Sequence, residues 1–159
     1  GPWVKAHNGL GEKTIARLLA SVGDPYWNDL HDRPRTVSEL WAYCGLAVLP
    51  DGRRQKRTKG QKSNWSDTAK MRLWNVVQPI IKNRNSPYRK LYDEVKESYQ
   101  GRTYDERYVG TKLKGKLIEF GDEISPGHIN AMTERRVMKQ ILKDLWIESK
   151  RLHELGEQQ

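Results

Sequence analysis

The chain holds one cysteine and one phenylalanine in 159 residues. It has no apolar run near the roughly 18 residues a membrane-spanning helix needs. A lone Cys44 excludes an intrachain disulfide and points to a reducing, cytoplasmic setting. Its neighbours, Trp41-Ala42-Tyr43, are those of a buried structural thiol and not of a nucleophile. The four histidines, His7, His31, His128 and His153, are scattered, and no Cys/His spacing outlines a metal site. There is no secretory leader pattern, no fixed-period repeat, no P-loop, no Ser/His/Asp spacing and no paired-carboxylate signature. These gaps argue against a membrane protein, a metalloprotein and a small-molecule hydrolase. Acidic residues are also in short supply: 20 against 29 lysines and arginines, for a net charge of +9 and a pI near 9.7. A basic domain favours a polyanionic partner, and nucleic acid is the usual one.

What is present begins with Gly9-Leu10-Gly11-Glu12-Lys13-Thr14-Ile15-Ala16-Arg17-Leu18-Leu19-Ala20. Two glycines one residue apart allow positive φ and leave amide N–H groups uncovered. The apolar spacing of Leu10, Ile15, Leu18, Leu19 and Val22 predicts an amphipathic helix with one buried face. Its first turn directs orphan N–H groups and the positive dipole end at the glycine bend. A phosphate suits that arrangement, with Lys13 and Thr14 adding a charge and a hydroxyl.

Further on, Gly23-Asp24-Pro25 stops this helix, and a polar loop with aromatic anchors follows up to Arg35. Thr36-Val37-Ser38-Glu39 is a capping box for a helix that turns Leu40, Trp41 and Cys44 inward and ends at Gly45. The segment 50–65 is a basic loop. Its centre, 53–62, carries Arg53, Arg54, Lys56, Arg57, Lys59 and Lys62 with no acid and no apolar period, which predicts a flexible or hairpin loop when free. Six phosphate contacts would give a log–log salt slope of roughly −5. Trp65, just after it, can stack on a base or anchor the loop. Ser66 or Asp67 caps the next helix, with Leu73, Trp74, Val76, Val77, Ile80 and Ile81 as its apolar set and Pro79 as a kink. Ser86-Pro87 starts another helix, with Leu91, Tyr92 and Val95 inward, closed by Gly101. Residues 101–126 are irregular, with Leu117-Ile118-Glu119-Phe120 as a short strand or apolar clip. A last helix runs from about His128 to His153, striped by Ile141, Leu142, Leu145 and Trp146.

The order of these pieces resembles the C-terminal, helix-hairpin-helix-containing domain of the DEDD-type insertion-sequence transposases, the family that includes bridge-RNA-guided recombinases. The matching pieces are G-L-G-E-K-T-I-A-R-L-L at 9–19, R-T-V-S-E-L-W-A-Y-C-G-L at 35–46 and S-N-W-S-D at 63–67. They continue with Ser86-Pro87-Tyr88-Arg89-Lys90-Leu91-Tyr92, then Gly127-His128-Ile129-Asn130-Ala131 with the helix after it. The resemblance implies a DNA-binding domain in transposition, separated from an upstream RuvC-like domain that would hold a divalent metal through four acids. No cofactor is expected in the present chain. The family's domain also supplies a serine nucleophile. This sequence departs from the pattern there: Asp51-Gly52-Arg53-Arg54 stands where a Ser-Gly-Gly-like element belongs. The nearest serines, Ser63 and Ser66, are only weak catalytic candidates, and Ser66 reads first as a helix cap.

The expectation is therefore one mainly all-α domain over 1–159, of five to six helices, with the hairpin and second helix at 9–22, the basic loop at 50–65 and a strand-like insertion at 101–126. Duplex DNA is the expected partner, through Gly9, Leu10, Gly11, Lys13, Thr14, the six basic loop residues and Trp65. Guide or structured RNA is a second candidate, and the full-length form admits a homo-oligomer. An upstream catalytic domain is expected to be missing and this piece alone inactive. The alternative is a non-catalytic relative that binds DNA or RNA or acts as a scaffold. Leu18, Leu19, Leu40, Trp41, Leu73, Val77, Leu142 and Leu145 are the expected core, and the glycine bend and basic loop are expected on one face.

Overall fold

Short-range capping chemistry decides where the helices begin. In the computed structural model, which describes residues 12–50, 52–56, 59–61 and 64–157, five α-helices carry the fold: α1 (Glu12–Val22), α2 (Val37–Tyr43), α3 (Asp67–Lys82), α4 (Pro87–Tyr99) and α5 (Pro126–Glu157). Thr36 and Glu39 close the capping box on α2 from both sides. Ser66 Oγ accepts the Ala69 amide at 3.1 Å to start α3. Ser86 Oγ accepts the Tyr88 amide at 3.3 Å, with Pro87 in the first turn of α4. Each such cap is worth about 1 kcal/mol. The all-α expectation holds, and the strands are minor. Two small antiparallel ribbons pair Trp27–Asn28 (β1) with Arg33–Pro34 (β2), and Lys112–Leu113 (β3) with Lys116–Leu117 (β4).

The core forms where α1, α3, α4 and α5 meet. Ile15, Leu18 and Val22 recur at helical spacing and are buried, while Lys13, Ala16, Arg17 and Ala20 between them are exposed. They pack against Ala69, Leu73, Val76, Val77 and Ile80 of α3. Arg72 locks the pair, donating to Arg17 O at 2.7 Å and to Ser21 Oγ at 2.6 Å. The 32-residue α5, roughly 48 Å long at 1.5 Å per residue, packs across α2, α3 and α4. It contributes Val137, Met138, Ile141, Leu142 and Leu145. All eight expected core residues belong to this cluster, with Leu19 and Trp41 at its half-buried edge. Among the described residues no helix is long and apolar enough to cross a membrane.

Helix α2 ends in a turn that fixes the root of the basic loop. Gly45 sits at φ +74°, its amide donates to Ala42 O at 3.1 Å and the Leu46 amide to Trp41 O at 2.8 Å. These are the two bonds of a Schellman cap, whose αL position a side chain would strain. A Cβ at Gly45 would also lie 2.8 Å from Trp65 Cδ1. Trp65 therefore serves as the loop's anchor: its ring covers Gly45, and its Nε1 donates to Asp67 Oδ1 at 3.0 Å.

The insertion is more ordered than its composition predicts. A 3₁₀ turn at Glu106–Tyr108 and the β3–β4 ribbon hang from a bridge between Thr103 and Glu123. In the apolar run Leu117-Ile118-Glu119-Phe120, Leu117 lies in β4, Ile118 is buried and Phe120 is exposed. The run is thus half strand and half clip.

Candidate nucleic-acid interface

The basic loop is an arm with a hairpin base. Val48 bridges Arg54, the Leu49 amide donates to Arg53 O at 2.7 Å and the Gly52 amide to Leu49 O at 2.8 Å. Gln55 is buried beneath it, where its Oε1 accepts the Ala47 amide at 3.0 Å. The arm is also bound to the insertion. Arg53 Nη2 donates to the Arg107 carbonyl, and Arg107 Nη1 donates to Gly52 O at 3.0 Å. Asp105 in turn holds Arg107 at 2.7 Å. Arg53, expected as a phosphate contact, is thus engaged with backbone, although it is as exposed as Arg54, Lys56 and Lys59.

Arg54 joins two cations from the helices around a recess. Lys70 and Trp74 are one turn apart on α3. Ala131, Glu134, Arg135 and Met138 share a face of α5 at spacings of three and four. Together with Arg54 and Leu46 they line a cavity of about 150 Å³. Glu134 is the single acid in that lining, and its Oε1 accepts from Asn130 Nδ2 at 3.2 Å and Gln78 Nε2 at 3.5 Å. Three cations therefore face one carboxylate that is held by amides. Lys139 and Arg136 extend the positive charge along α5, Lys139 with its ammonium 5.0 Å from the Trp41 ring centre.

The charges in this group oppose one another. Burial first, then Arg135 and Arg54, hold the Lys70 ammonium below its ordinary range, with Asp67 acting in the other direction. Burial and then Arg54 lower Arg135, against an opposing pull from Tyr108. Burial, Arg135 and Arg136 lower Lys139. His128, with Nδ1 3.0 Å from the Tyr104 hydroxyl, is pushed down by burial and by Arg54. Desolvation and like charge both disfavour the cationic forms, and pairing with a bound anion would compensate both.

The other expected residues fall as follows. Lys13 is exposed in the first turn of α1 and Thr14 is half-buried beside it. Ser66 is engaged as the α3 cap. Gly9, Leu10, Gly11, Arg57, Lys62 and Ser63 lie outside the described residues, so the expectation that bend and loop share a face rests on the sequence alone. Lys70, Trp74, Arg135, Arg136 and Lys139 are absent from the sequence-derived set. Their signal was available: Arg135, Lys139 and Lys143 are like charges at i, i+4 along one helix, a spacing that is mildly destabilising without an anion. Trp74, read as part of the core stripe, is 48% exposed, because it is one position off the Leu73–Val77–Ile80 face and shares Lys70's side. Cys44 is fully buried, and burial pushes its thiol up to about 12 against the pull of Arg35, as a structural thiol requires. Comparison of the chain with protein families, with curated proteins and with solved structures finds no match.

Proposed function

We propose that this domain grips the sugar-phosphate backbone of duplex DNA, as the DNA-binding part of a transposase or site-specific recombinase. The observation that carries the reading is the gathering of Arg54, Lys70 and Arg135 round one recess against a single, amide-bound carboxylate. In the free domain these cations repel one another and are partly desolvated, and a phosphate offsets both costs. Lys56 and Lys59, exposed on the same arm as Arg54, add to its positive charge. The net charge of +9 supplies long-range attraction for the same partner.

A non-catalytic relative, kept for binding DNA or RNA, is the second reading. It is favoured by the Ser66 hydroxyl, whose oxygen is taken by the Ala69 amide. Retention of unrelated duplexes on native gels at 50 mM salt tests binding itself. The expected log–log salt slope is roughly −4 to −5, from four to six phosphate contacts. No retention at that salt overturns the proposal, and a much tighter grip on structured RNA moves it to the second reading.

A further inference from the structure

Resting on the nucleic-acid reading, we propose that the recess between the arm, α3 and α5 holds a single unpaired nucleotide, its base against Trp74 and its phosphate on Arg54, Lys70 and Arg135. A duplex backbone needs cations but no apolar wall. This recess has both: Leu46, Trp74, Ala131 and Met138 line it together with the three cations. The guest it fits is amphipathic, one flat apolar ring attached to an anion. Its volume of about 150 Å³ leaves room for a flat ring against the apolar wall and not for a stacked base pair.

Trp74 carries the second half of the argument. Leu73, Val76, Val77 and Ile80 of the same helix are fully buried, yet this largest apolar side chain of α3 stays 48% exposed at the cavity. An indole face beside cations is the platform on which single-stranded nucleic acid stacks, whatever the base. Lys56 and Lys59 are also exposed, on the arm that carries Arg54. The recess would therefore take an overhanging or extruded nucleotide continuous with a duplex backbone that meets the same three cations.

Three labelled DNAs of one duplex sequence test this by fluorescence anisotropy: blunt, with a three-nucleotide overhang, and with an abasic overhang of equal charge. The wild-type chain should bind the overhang with bases roughly tenfold tighter than its abasic twin, in line with stacking of one base. Trp74→Ala should bring that ratio to about one, and Trp74→Phe should keep part of the preference. Equal affinity of the wild type for base-bearing and abasic overhangs overturns the pocket and leaves the duplex reading standing. So does a preference that survives Trp74→Ala. Failure to bind any of the three overturns both.

Discussion

The two ends of α5 use their charges in opposite ways. Toward its C-terminus the charges are matched inside the molecule. Asp24 accepts Ser149 Oγ at 2.6 Å and meets His153 Nε2 at 2.7 Å. Glu148 pairs with Arg151 at 2.5 Å, and Lys150 lies 4.0 Å from Glu154. Trp146 Nε1 adds a bond to Arg35 O at 2.8 Å, and His153 stacks on Trp27 with ring centres 5.7 Å apart. Toward the N-terminus, Arg135 has no carboxylate partner among the described residues and is pressed by Arg54. One end is a clamp that holds the first loop to the last helix. At the other end, charge is available for something outside the chain. Charge content alone does not locate a binding surface; the pairing does.

The largest expected effect comes from removing the unmatched set. Arg54→Ala, Lys70→Ala and Arg135→Ala together should weaken duplex binding on the order of a hundredfold at low salt, and make the salt slope shallower by about three. Denaturant midpoints should stay level or rise, since the lost charges repel one another. A fall in stability with binding intact would erase the contrast between the two ends. Gly45→Ala comes next and sharpens the picture at the arm's root. Positive φ and a Cβ 2.8 Å from the Trp65 ring should cost about 2 kcal/mol of stability. Displacement of Trp65 should also lower DNA affinity, which anisotropy on the same duplex would read. A folded variant with unchanged affinity would separate the arm's position from binding.

The difference between the two ends also sets how much was readable from the sequence. Helix starts and stops were legible because their causes are local: Thr36 with Glu39, Ser66, Ser86 with Pro87, and Gly45 all act within three or four residues. The core stripe was legible for the same reason of short period. The recess was not, because Arg54, Lys70 and Arg135 lie far apart in the chain and meet only when α3 and α5 pack. Arg53 looked equivalent to Arg54, but it turns to the Arg107 carbonyl, a contact across the fold that no local pattern encodes. The clamp at Asp24 was equally hidden, since its partners sit at the opposite end of the sequence.

The smallest effect belongs to that clamp, and it tests the comparison from the other side. Burial alone would raise the Asp24 carboxyl. Hydrogen bonds from Ser149, His153 and the amides of Trp27 and Tyr26 outweigh it and bring the value from 3.8 to about 2. A lowered folded-state value means the stabilisation is complete above the unfolded value near 3.8 and is lost as pH falls from about 4 through about 2. At full strength that shift equals roughly 2.5 kcal/mol. A third of the side chain meets water, and screening reduces the expected loss in Asp24→Asn at pH 7 to about 1–2 kcal/mol. Denaturation curves at pH 7 and pH 2.5 should therefore diverge less in the variant than in the parent chain. Duplex affinity should not change, because Asp24 meets α5 at Ser149 and His153, at the other end of the helix from Arg135. Were Asp24→Asn to weaken DNA binding as the triple cation variant does, the two ends of α5 would be one functional surface, and pairing would no longer distinguish them.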